Sequence, residues 1–329
     1  MTSQIESLKA IAKKRPKRIV LPEGNEPRII EAAGVIASKG IAEIILIGDE
    51  SKIKKAAGIQ VIEPAKYPKL KELIDIFYNA RKHKGITPDE AKNAVLADSI
   101  FFGALLVRTG VADGFVAGAS HTTSSVAKAA LYCLGLEDGV NVMSSSFLIE
   151  LADSHFGDKG LFIFGDCGIV PDPDAEKLAD IAISCSRLYK KFFSSSDPGR
   201  KPYVALLSYS TKGSSRGDSI DKVVKALVII KKKAPDLDVD GELQLDAAVV
   251  PEVAKIKAPK SPVAGRANVL IFPNLDAGNI AYKLTQRLSK ARVVGPLMQG
   301  VRKPCSDLSR GCCIQEIIDA VVVTAVRAQ

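Results

Sequence analysis

The feature that most constrains the fold is a series of short apolar segments that alternate with segments of helical spacing. Residues 18–22 form the first apolar segment, and in residues 27–39 apolar side chains recur at helical intervals until Gly40 ends the pattern. Strands without polar positions are typical of parallel sheets that helices cover on both faces. Further strands are predicted at residues 44–48, 114–118, 160–166, 203–208 and 269–273. The chain is therefore predicted to be α/β, with mainly parallel sheets flanked by helices.

Length and composition narrow the class of protein. The chain has 329 residues, and at roughly 150 residues per domain this length favours two domains. The net charge of +9 has two interpretations, general solubility or attraction of anionic small molecules. The chain has no Trp and only 5% aromatic residues, which argues against nucleic-acid binding by base stacking.

The cysteines and the first residues indicate a cytoplasmic protein. The six cysteines include no C-x-x-C pair and no histidine at metal spacing, so the sequence predicts reduced thiols and no metal site. Residues 1–17 are polar and basic, without the apolar core of a signal peptide. No apolar run approaches the length of a membrane span, so no membrane partner is expected.

The strongest candidate for chemistry is the run at residues 299–311, which is predicted to be a turn that leads into an apolar helix. Unpaired N–H groups at a helix start favour anions, and Ser309 beside Arg310 suggests a phosphate or a developing oxyanion as the ligand. Glu316 falls in the first helical turn, either as an acid that complements the helix dipole or as a general base. Cys312 and Cys313 are interpreted as packing residues, with an activated thiol as the alternative.

Polar, glycine-rich loops follow several predicted strands, and α/β sheets bind ligands at the carboxyl ends of their strands. The Ser-Thr-Lys-Gly-Ser loop lacks the G-x-x-x-x-G-K-[ST] pattern of an NTPase. Ser210, Thr211 and Lys212 in this loop are predicted to contact a small anion, with an ordinary turn and a solvated lysine as the alternatives. His121 is either structural or catalytic. Arg81 belongs to a basic segment that is either a helix end favoured by the dipole or an arm that reaches an anion.

Several segments together resemble phosphate acetyltransferase (phosphotransacetylase), and the match runs from about residue 18 to the C-terminus. The matching motifs are residues 81–85, 112–114, 208–214, 240–248, 261–265, 278–283 and 307–311. Five or more motifs in the expected order are far more specific than any one of them. On these motifs the chain is identified as a member of the phosphate acetyl/butyryltransferase family.

The resemblance implies an acyltransferase that reversibly moves an acetyl group between acetyl phosphate and coenzyme A. It implies a layout like that of isocitrate and isopropylmalate dehydrogenases, with the active site in the cleft between two domains. The first domain is expected at residues 1–138 plus 296–329, and the second, inserted domain at residues 139–295. The resemblance also implies coenzyme A as a substrate with no tightly bound cofactor, no metal, a homodimer and a metabolic link to acetate kinase.

The mechanism that the resemblance implies is direct attack of the coenzyme A thiolate on acetyl phosphate in a ternary complex. Ser309 is expected to hydrogen-bond at the reacting centre, Arg310 to hold acetyl phosphate and Glu316 to act as the base. Substrate binding is assigned to Arg81, Lys128, His121, Ser210, Thr211 and Lys212. Glu316 replaces the usual Asp of the family, and Lys128 replaces the usual Arg. A lysine keeps the positive charge but loses the bidentate fork of arginine.

Three other functions compete with this interpretation. The nearest is a phosphate acyltransferase for a longer acid such as butyryl. A decarboxylating dehydrogenase shares the two-domain layout, although the chain has no G-x-G-x-x-G fingerprint. A non-catalytic module that senses coenzyme A is the third, and the presence of Ser309 and Arg310 argues against it.

Overall fold

The computed structural model describes residues 3–51, 53, 57–152, 154–194 and 197–329. These residues form two compact units, Met1–Glu137 with Val301–Gln329, and Asp138–Gly300. The domain boundaries given above stay a prediction, because compactness alone does not establish independent domains. No helix among the described residues is both long and apolar enough to span a bilayer.

The first unit has five parallel strands, in the order β3-β2-β1-β4-β11. The strands are β1 (Arg18–Leu21), β2 (Glu43–Ile47), β3 (Ile59–Ile62), β4 (Gly114–Ala117) and β11 (Cys305–Asp307). The helices are α1 (Gln4–Lys14), α2 (Pro27–Ser38), α3 (Leu70–Arg81), α4 (Pro88–Ala97), α5 (Ser99–Arg108), α6 (Thr123–Ala129) and α13 (Ile314–Arg327). The apolar segments predicted as strands in this unit are confirmed, and so is their parallel direction.

The second unit has six strands, in the order β10-β5-β6-β9-β7-β8. The strands are β5 (Ser144–Glu150), β6 (Leu161–Gly165), β7 (Val204–Leu207), β8 (Val239–Leu243), β9 (Val269–Ile271) and β10 (Arg292–Gln299). The helices are α7 (Phe156–Lys159), α8 (Ala175–Tyr189), α9 (Asp218–Lys233), α10 (Leu245–Val249), α11 (Pro251–Lys257) and α12 (Leu275–Ser289). β5 pairs antiparallel with β10 and β6, whereas β6, β9, β7 and β8 pair in parallel.

The run at residues 299–311 is not the continuous turn that was predicted. Its central part is the buried strand β11, whose Ser306 pairs in parallel register with Val116. Ser306 is fully buried, and its hydroxyl is satisfied by a 2.7 Å hydrogen bond with the Thr324 hydroxyl of α13. A strand of three residues with a buried serine has no apolar pattern, and the hydroxyl of Ser306 is satisfied by a residue in the third turn of a helix.

The helix that follows, α13, is buried on more than the predicted face. Ile317, Ile318, Val321 and Val322 are buried as predicted, whereas Ile314 is partly exposed. Residues 319–326 are also all buried, because α13 packs against α1, α2 and β4. Burial of the helix beyond its first turn fixes α13 in the unit, and Arg310 precedes its first residue, Ile314, by four positions.

Candidate active site

Three loops of the first unit follow adjacent parallel strands. Glu23 follows β1, residues 118–122 follow β4, and residues 308–313 follow β11. Because β1, β4 and β11 are neighbours and run in the same direction, the three loops leave the sheet at the same edge. The hydrogen bonds between these loops involve the residues predicted to carry the chemistry.

Glu23 organises the loop that carries His121. Its carboxylate accepts the backbone N–H groups of Gly118 (2.9 Å), Ala119 (2.8 Å) and Ser120 (2.7 Å), and also the Ser120 hydroxyl (2.8 Å). The Nδ1 atom of His121 lies 2.7 Å from Glu23 Oε1. Burial favours the neutral acid, but the hydrogen bonds from His121, Ser120 and Ala119 outweigh it and hold the pKa of Glu23 below its usual value.

Arg28, in the first turn of α2, connects this loop to the turn that carries Ser309 and Arg310. Its guanidinium donates to the carbonyl oxygens of Arg310 (3.0 Å), Cys312 (2.8 Å) and Ala119 (3.0 Å). Its Nε donates to the carboxylate of Glu26 at 2.8 Å. One planar cation therefore fixes the backbone of both loops.

Asp307 lies at the end of β11, two residues before Ser309. The Thr123 hydroxyl donates to its Oδ2 at 2.5 Å, whereas Oδ1 has no hydrogen-bond partner among the described residues. Burial raises the pKa of Asp307 to about 7. Gly118 packs directly against Oδ1 with φ +118°, where a Cβ atom would overlap the carboxylate and strain the backbone.

Ser309 and Arg310 are both exposed in the turn after β11. Ser309 Oγ accepts the Gly311 N–H at 3.3 Å, and its own proton stays available to a ligand. The structure gives the Arg310 guanidinium no hydrogen-bond or ion-pair partner within the described ranges. Arg310 is thus an available cation on a backbone that Arg28 fixes.

Glu316 caps the N-terminus of α13. Its Oε2 accepts the backbone N–H of Cys313 at 2.9 Å. Glu316 lies in the first turn, as expected of an acid that complements the helix dipole, and a base role requires the other lone pairs of the same carboxylate. Cys312 is buried, as predicted, and its burial raises its pKa to about 11. Cys313 is exposed, so the packing prediction is wrong for Cys313, which is the residue that precedes α13.

The other predicted cations of the first unit lie on helices. Arg81 is the last residue of α3, so the expectation of a basic helix end is confirmed, and its guanidinium lies 3.7 Å above the ring of Tyr132. Lys128 is exposed in the last turn of α6, and no described residue pairs with its ammonium group. Both cations therefore present charge to solvent near a helix end.

Ser210, Thr211 and Lys212 belong to the second unit, where all three side chains have internal partners. The Ser210 hydroxyl donates to Glu242 at 2.9 Å, and the Thr211 hydroxyl donates to Gln244 at 3.3 Å. Lys212 Nζ lies 2.5 Å from the carboxylate of Asp240 and donates to the Gly241 carbonyl at 2.8 Å. Lys212 is also exposed, so the alternative of a solvated lysine stays open, and phosphate contact by these side chains stays a prediction.

The Lys212–Asp240 pair supports a stability prediction. Lys212→Ala leaves the Asp240 side chain, which is 6% exposed, without its cation. Among the described residues, only the Gly241 N–H still donates to this carboxylate, at 2.9 Å. We expect the free energy of unfolding to fall by about 1–3 kcal/mol, the usual cost of losing a hydrogen bond to a buried charged group. Thermal or urea unfolding measures it. Lys66→Ala removes the exposed Lys66–Glu63 pair and is the matched control, for which no measurable change is expected. Equal stability of both variants contradicts a structural role for Lys212.

Known proteins are similar to this chain over nearly its whole length. Residues 3–325 match the family model described as phosphate acetyl/butaryl transferase. The chain belongs to the phosphate acetyl/butaryl transferase family. A phosphate acetyltransferase of Thermoanaerobacterium thermosaccharolyticum is 46% identical, over 99% of this chain and 100% of the relative. A phosphotransacetylase structure from Streptococcus pyogenes has a TM-score of 0.90 at 36% identity, and covers 100% of this chain and 99% of that one.

A likeness in fold alone extends beyond the phosphate acetyl/butaryl transferase family. A 4-hydroxythreonine-4-phosphate dehydrogenase from Klebsiella pneumoniae has a TM-score of 0.53 at 11% identity, over 95% of this chain. The predicted dehydrogenase-like layout is thereby confirmed as a fold. At that identity the likeness carries no argument about the reaction.

Sequence reasoning missed Arg28 in this member of the phosphate acetyl/butaryl transferase family, although one signal was present. Arg28 stands in the first turn of α2, where a cation is disfavoured by the helix dipole. A charge in an unfavourable position suggests an outside partner, which here is the set of three carbonyl oxygens. Among the described residues, no group of three or more His, Cys, Asp or Glu side chains is arranged to hold a metal ion.

Proposed function

We propose that this chain is a phosphate acetyltransferase, with acetyl phosphate and coenzyme A as substrates in one direction and acetyl-coenzyme A and phosphate in the other. The observation that carries the proposal is the exposed Arg310 guanidinium beside Ser309, on a turn that Arg28 fixes. Full-length relatives at 43–46% identity that are named phosphate acetyltransferase support it.

The reaction is a direct acyl transfer. The coenzyme A sulfur gives its proton to a base and attacks the acetyl carbonyl carbon, an S–C bond forms, and the C–O bond to phosphate breaks. Arg310 neutralises charge on the acyl phosphate, and the Ser309 hydroxyl donates to an oxygen at the reacting centre. Glu316 is the proposed base. Its carboxylate already accepts the Cys313 N–H, which restricts its rotation without using all of its lone pairs.

The remaining cations bind the anionic parts of the substrates in this proposal. Arg81 and Lys128 present their charges near helix ends, and His121 presents a ring nitrogen from the loop that precedes α6. Coenzyme A is a substrate, and no tightly bound cofactor is proposed. The positive net charge of the chain favours both anionic substrates. We further propose a cytoplasmic enzyme whose acetyl phosphate is exchanged with acetate kinase.

The function is tested by mixing purified protein with acetyl phosphate and coenzyme A and following thioester absorbance. Thioester formation from acetyl phosphate, faster than from butyryl phosphate, is the expected result. A folded protein that forms no thioester from either donor contradicts the enzyme proposal. A faster reaction with butyryl phosphate contradicts the acetyl specificity alone.

Glu316→Gln separates the two roles of this carboxylate. The amide oxygen of glutamine still accepts the Cys313 N–H, so the cap is kept while the base is lost. We expect kcat to fall about 100-fold, at the lower end of what general base catalysis supplies, with an unchanged unfolding temperature. The matched control is Glu90→Gln, because Glu90 caps α4 in the same way, with a 2.8 Å bond from the Thr87 N–H. A near-full rate for Glu316→Gln shows that Glu316 only caps α13.

The proposed enzyme is a homodimer that associates through α12. Ile280, Leu284 and Leu288 are spaced four residues apart on this helix, and their side chains are 58%, 52% and 80% exposed. Three large apolar side chains on one exposed face favour burial against a second copy. Leu284→Asp is expected to give a monomer by analytical ultracentrifugation. Val228→Asp changes an equally exposed residue on α9 and is the control. If only Val228→Asp dissociates the dimer, the interface involves α9 instead.

A further inference from the structure

The side chain of His121 is held at one ring nitrogen and accessible elsewhere. Its Nδ1 lies 2.7 Å from Glu23 Oε1, and the side chain is 35% exposed, whereas that of Glu23 is 1% exposed. The Ser120 hydroxyl, which donates to the same Glu23 oxygen, lies 3.2 Å from Nδ1. Every other partner of the Glu23 carboxylate is also a donor, three of them backbone N–H groups. The pair is therefore a histidine oriented by a buried carboxylate.

This arrangement decides which nitrogen of His121 can exchange a proton. Glu23 is ionised near neutral pH, because its hydrogen bonds hold its pKa below the usual value. An ionised carboxylate only accepts hydrogen bonds, so Nδ1 must carry the proton that faces it. Nε2 is then the ring nitrogen that can gain or lose a proton. The contact with Glu23 thus fixes the orientation of the ring, as a carboxylate does for the histidine of a hydrolase triad.

The proposed reaction needs a group that can donate a proton to the oxygen between the acetyl carbon and phosphorus. When the C–O bond of acetyl phosphate breaks, the bridging oxygen leaves with the electron pair. Without a proton it would form the phosphate trianion, which is a far stronger base than the dianion present near neutral pH. In the reverse direction, attacking phosphate must lose this proton. Glu316 receives the thiol proton in the proposal and does not deliver one to phosphate.

We propose that His121, positioned by Glu23, is the general acid that protonates the departing phosphate oxygen through Nε2, and the general base for the same proton in the reverse direction. This inference rests on the proposed acetyltransferase function. The step balances: Glu316 takes one proton from the thiol, His121 gives one to the bridging oxygen, and solvent returns a proton from Glu316 to His121. Protonation of the leaving oxygen lowers the barrier to C–O cleavage.

The loop of His121 has a fixed relation to the turn of Ser309 and Arg310. Arg28 donates to the carbonyl of Ala119 and also to those of Arg310 and Cys312. On the other side, Thr123 donates to Asp307 at 2.5 Å, and Asp307 precedes Leu308 and Ser309. The loops of His121 and Arg310 are therefore held by shared hydrogen bonds, and the proposal assigns Arg310 to the charge of one acyl phosphate and His121 to the oxygen that leaves.

Three charged or titratable groups lie around the pair of His121 and Glu23. Arg28 belongs to α2, Asp307 ends β11, and Cys312 precedes α13. Glu23 interacts electrostatically with each of these three. The Asp307 carboxyl and the Cys312 thiol have pKa values raised by burial, to about 7 and about 11, so each has its own influence on a pH profile. The assignment to His121 therefore requires variants in addition to a profile.

The decisive experiment is chemical rescue of His121→Ala. Conversion of acetyl phosphate and coenzyme A by the unaltered protein is measured first, because its failure overturns the proposed function rather than this inference. We then expect kcat of His121→Ala to fall about 100-fold, with KM for both substrates within about threefold. Added imidazole is expected to restore the rate at least tenfold, and substituted imidazoles to restore it in the order of their acidity.

His121→Asn is the matched variant, because its amide can still donate to Glu23 and it has no titratable nitrogen. We expect the same loss of kcat at an unchanged unfolding temperature, without rescue by imidazole. A near-full rate for His121→Asn overturns the proposal, since the hydrogen bond to Glu23 would then suffice. A slow His121→Ala that imidazole does not rescue also overturns it. If His121→Ala does not fold, the rate of folded His121→Asn decides.

Glu23→Gln tests the positioning role. The glutamine amide no longer orients the His121 ring as the carboxylate does, so kcat is expected to fall at unchanged KM in the otherwise unaltered protein. In the His121→Asn background the same change is expected to cost little further, because Glu23 acts through His121. Losses that multiply in the double variant show that Glu23 only holds the loop and overturn its positioning of His121.

Discussion

Replacing Arg310 by Gln is expected to lower kcat/KM for acetyl phosphate by about three orders of magnitude, while the protein stays folded. Arg310 is exposed and has no internal partner within the described part of the chain, so its loss removes no interaction that stabilises the fold. Its proposed task is to hold the acyl phosphate and to neutralise the charge that develops as the C–O bond breaks. Loss of one preorganised donor to such charge typically costs about 100- to 1,000-fold, and the loss of phosphate binding adds to it.

The measurement is steady-state kinetics with acetyl phosphate varied at saturating coenzyme A, beside a thermal unfolding curve. Arg310→Lys keeps the charge without the bidentate fork, and we expect its rate to lie between those of the unaltered protein and Arg310→Gln. Lys303→Gln is the matched control, since Lys303 is another exposed cation of the same C-terminal run. A loss with Lys303→Gln as large as with Arg310→Gln points to net charge instead of a specific contact. An active Arg310→Gln contradicts the proposed role.

The sequence predicts those strands whose residues are nearly all apolar. The apolar segments that become β1, β2, β4, β6, β7 and β9 need only local composition to be recognised. β11 escapes this reasoning because Ser306 is satisfied by Thr324, a partner eighteen positions away. The antiparallel pair β5 and β10 escapes it too, because the three serines that begin β5 resemble a loop. In each case a tertiary contact satisfies polar groups that a local pattern cannot assign.

The sequence predicts which residues belong to the candidate site, but it does not predict the hydrogen bonds that hold them together. The sequence identifies the exposed turn of Ser309 and Arg310 and the loop of His121. It does not reveal that Glu23 and Arg28 hold these loops, because side-chain hydrogen bonds with backbone N–H and carbonyl groups leave no motif. It also does not reveal that Lys212, a predicted anion ligand, forms an ion pair with Asp240. Such pairing depends on β8, which runs beside β7 and was not predicted as a strand.

Arg28→Met is expected to lower kcat about 100-fold with little change in KM for coenzyme A. Methionine keeps much of the length of the side chain but donates no hydrogen bonds, so the carbonyls of Arg310, Cys312 and Ala119 lose their shared donor. The Arg310 guanidinium is still present, but the backbone beneath it can shift. Misplacement of a reacting group by about 1 Å can cost about 100-fold in rate. The double variant Arg28→Met with Arg310→Gln should be hardly slower than Arg310→Gln alone, since Arg28 acts through the position of Arg310.

The control for Arg28 is Arg18→Met, because Arg18 is also a partly exposed arginine of the first unit that bonds a carbonyl and a carboxylate. It donates to the Gly110 carbonyl at 3.0 Å and pairs with Asp113 at 3.4 Å, both at the opposite end of β1 and β4. We expect Arg18→Met to keep at least half of the rate. If the losses from Arg28→Met and Arg310→Gln multiply in the double variant, Arg28 acts on the reaction independently of Arg310. Arg28 would then contact the substrate itself. If it acted only through the position of Arg310, its replacement would cost little once Arg310 is already lost.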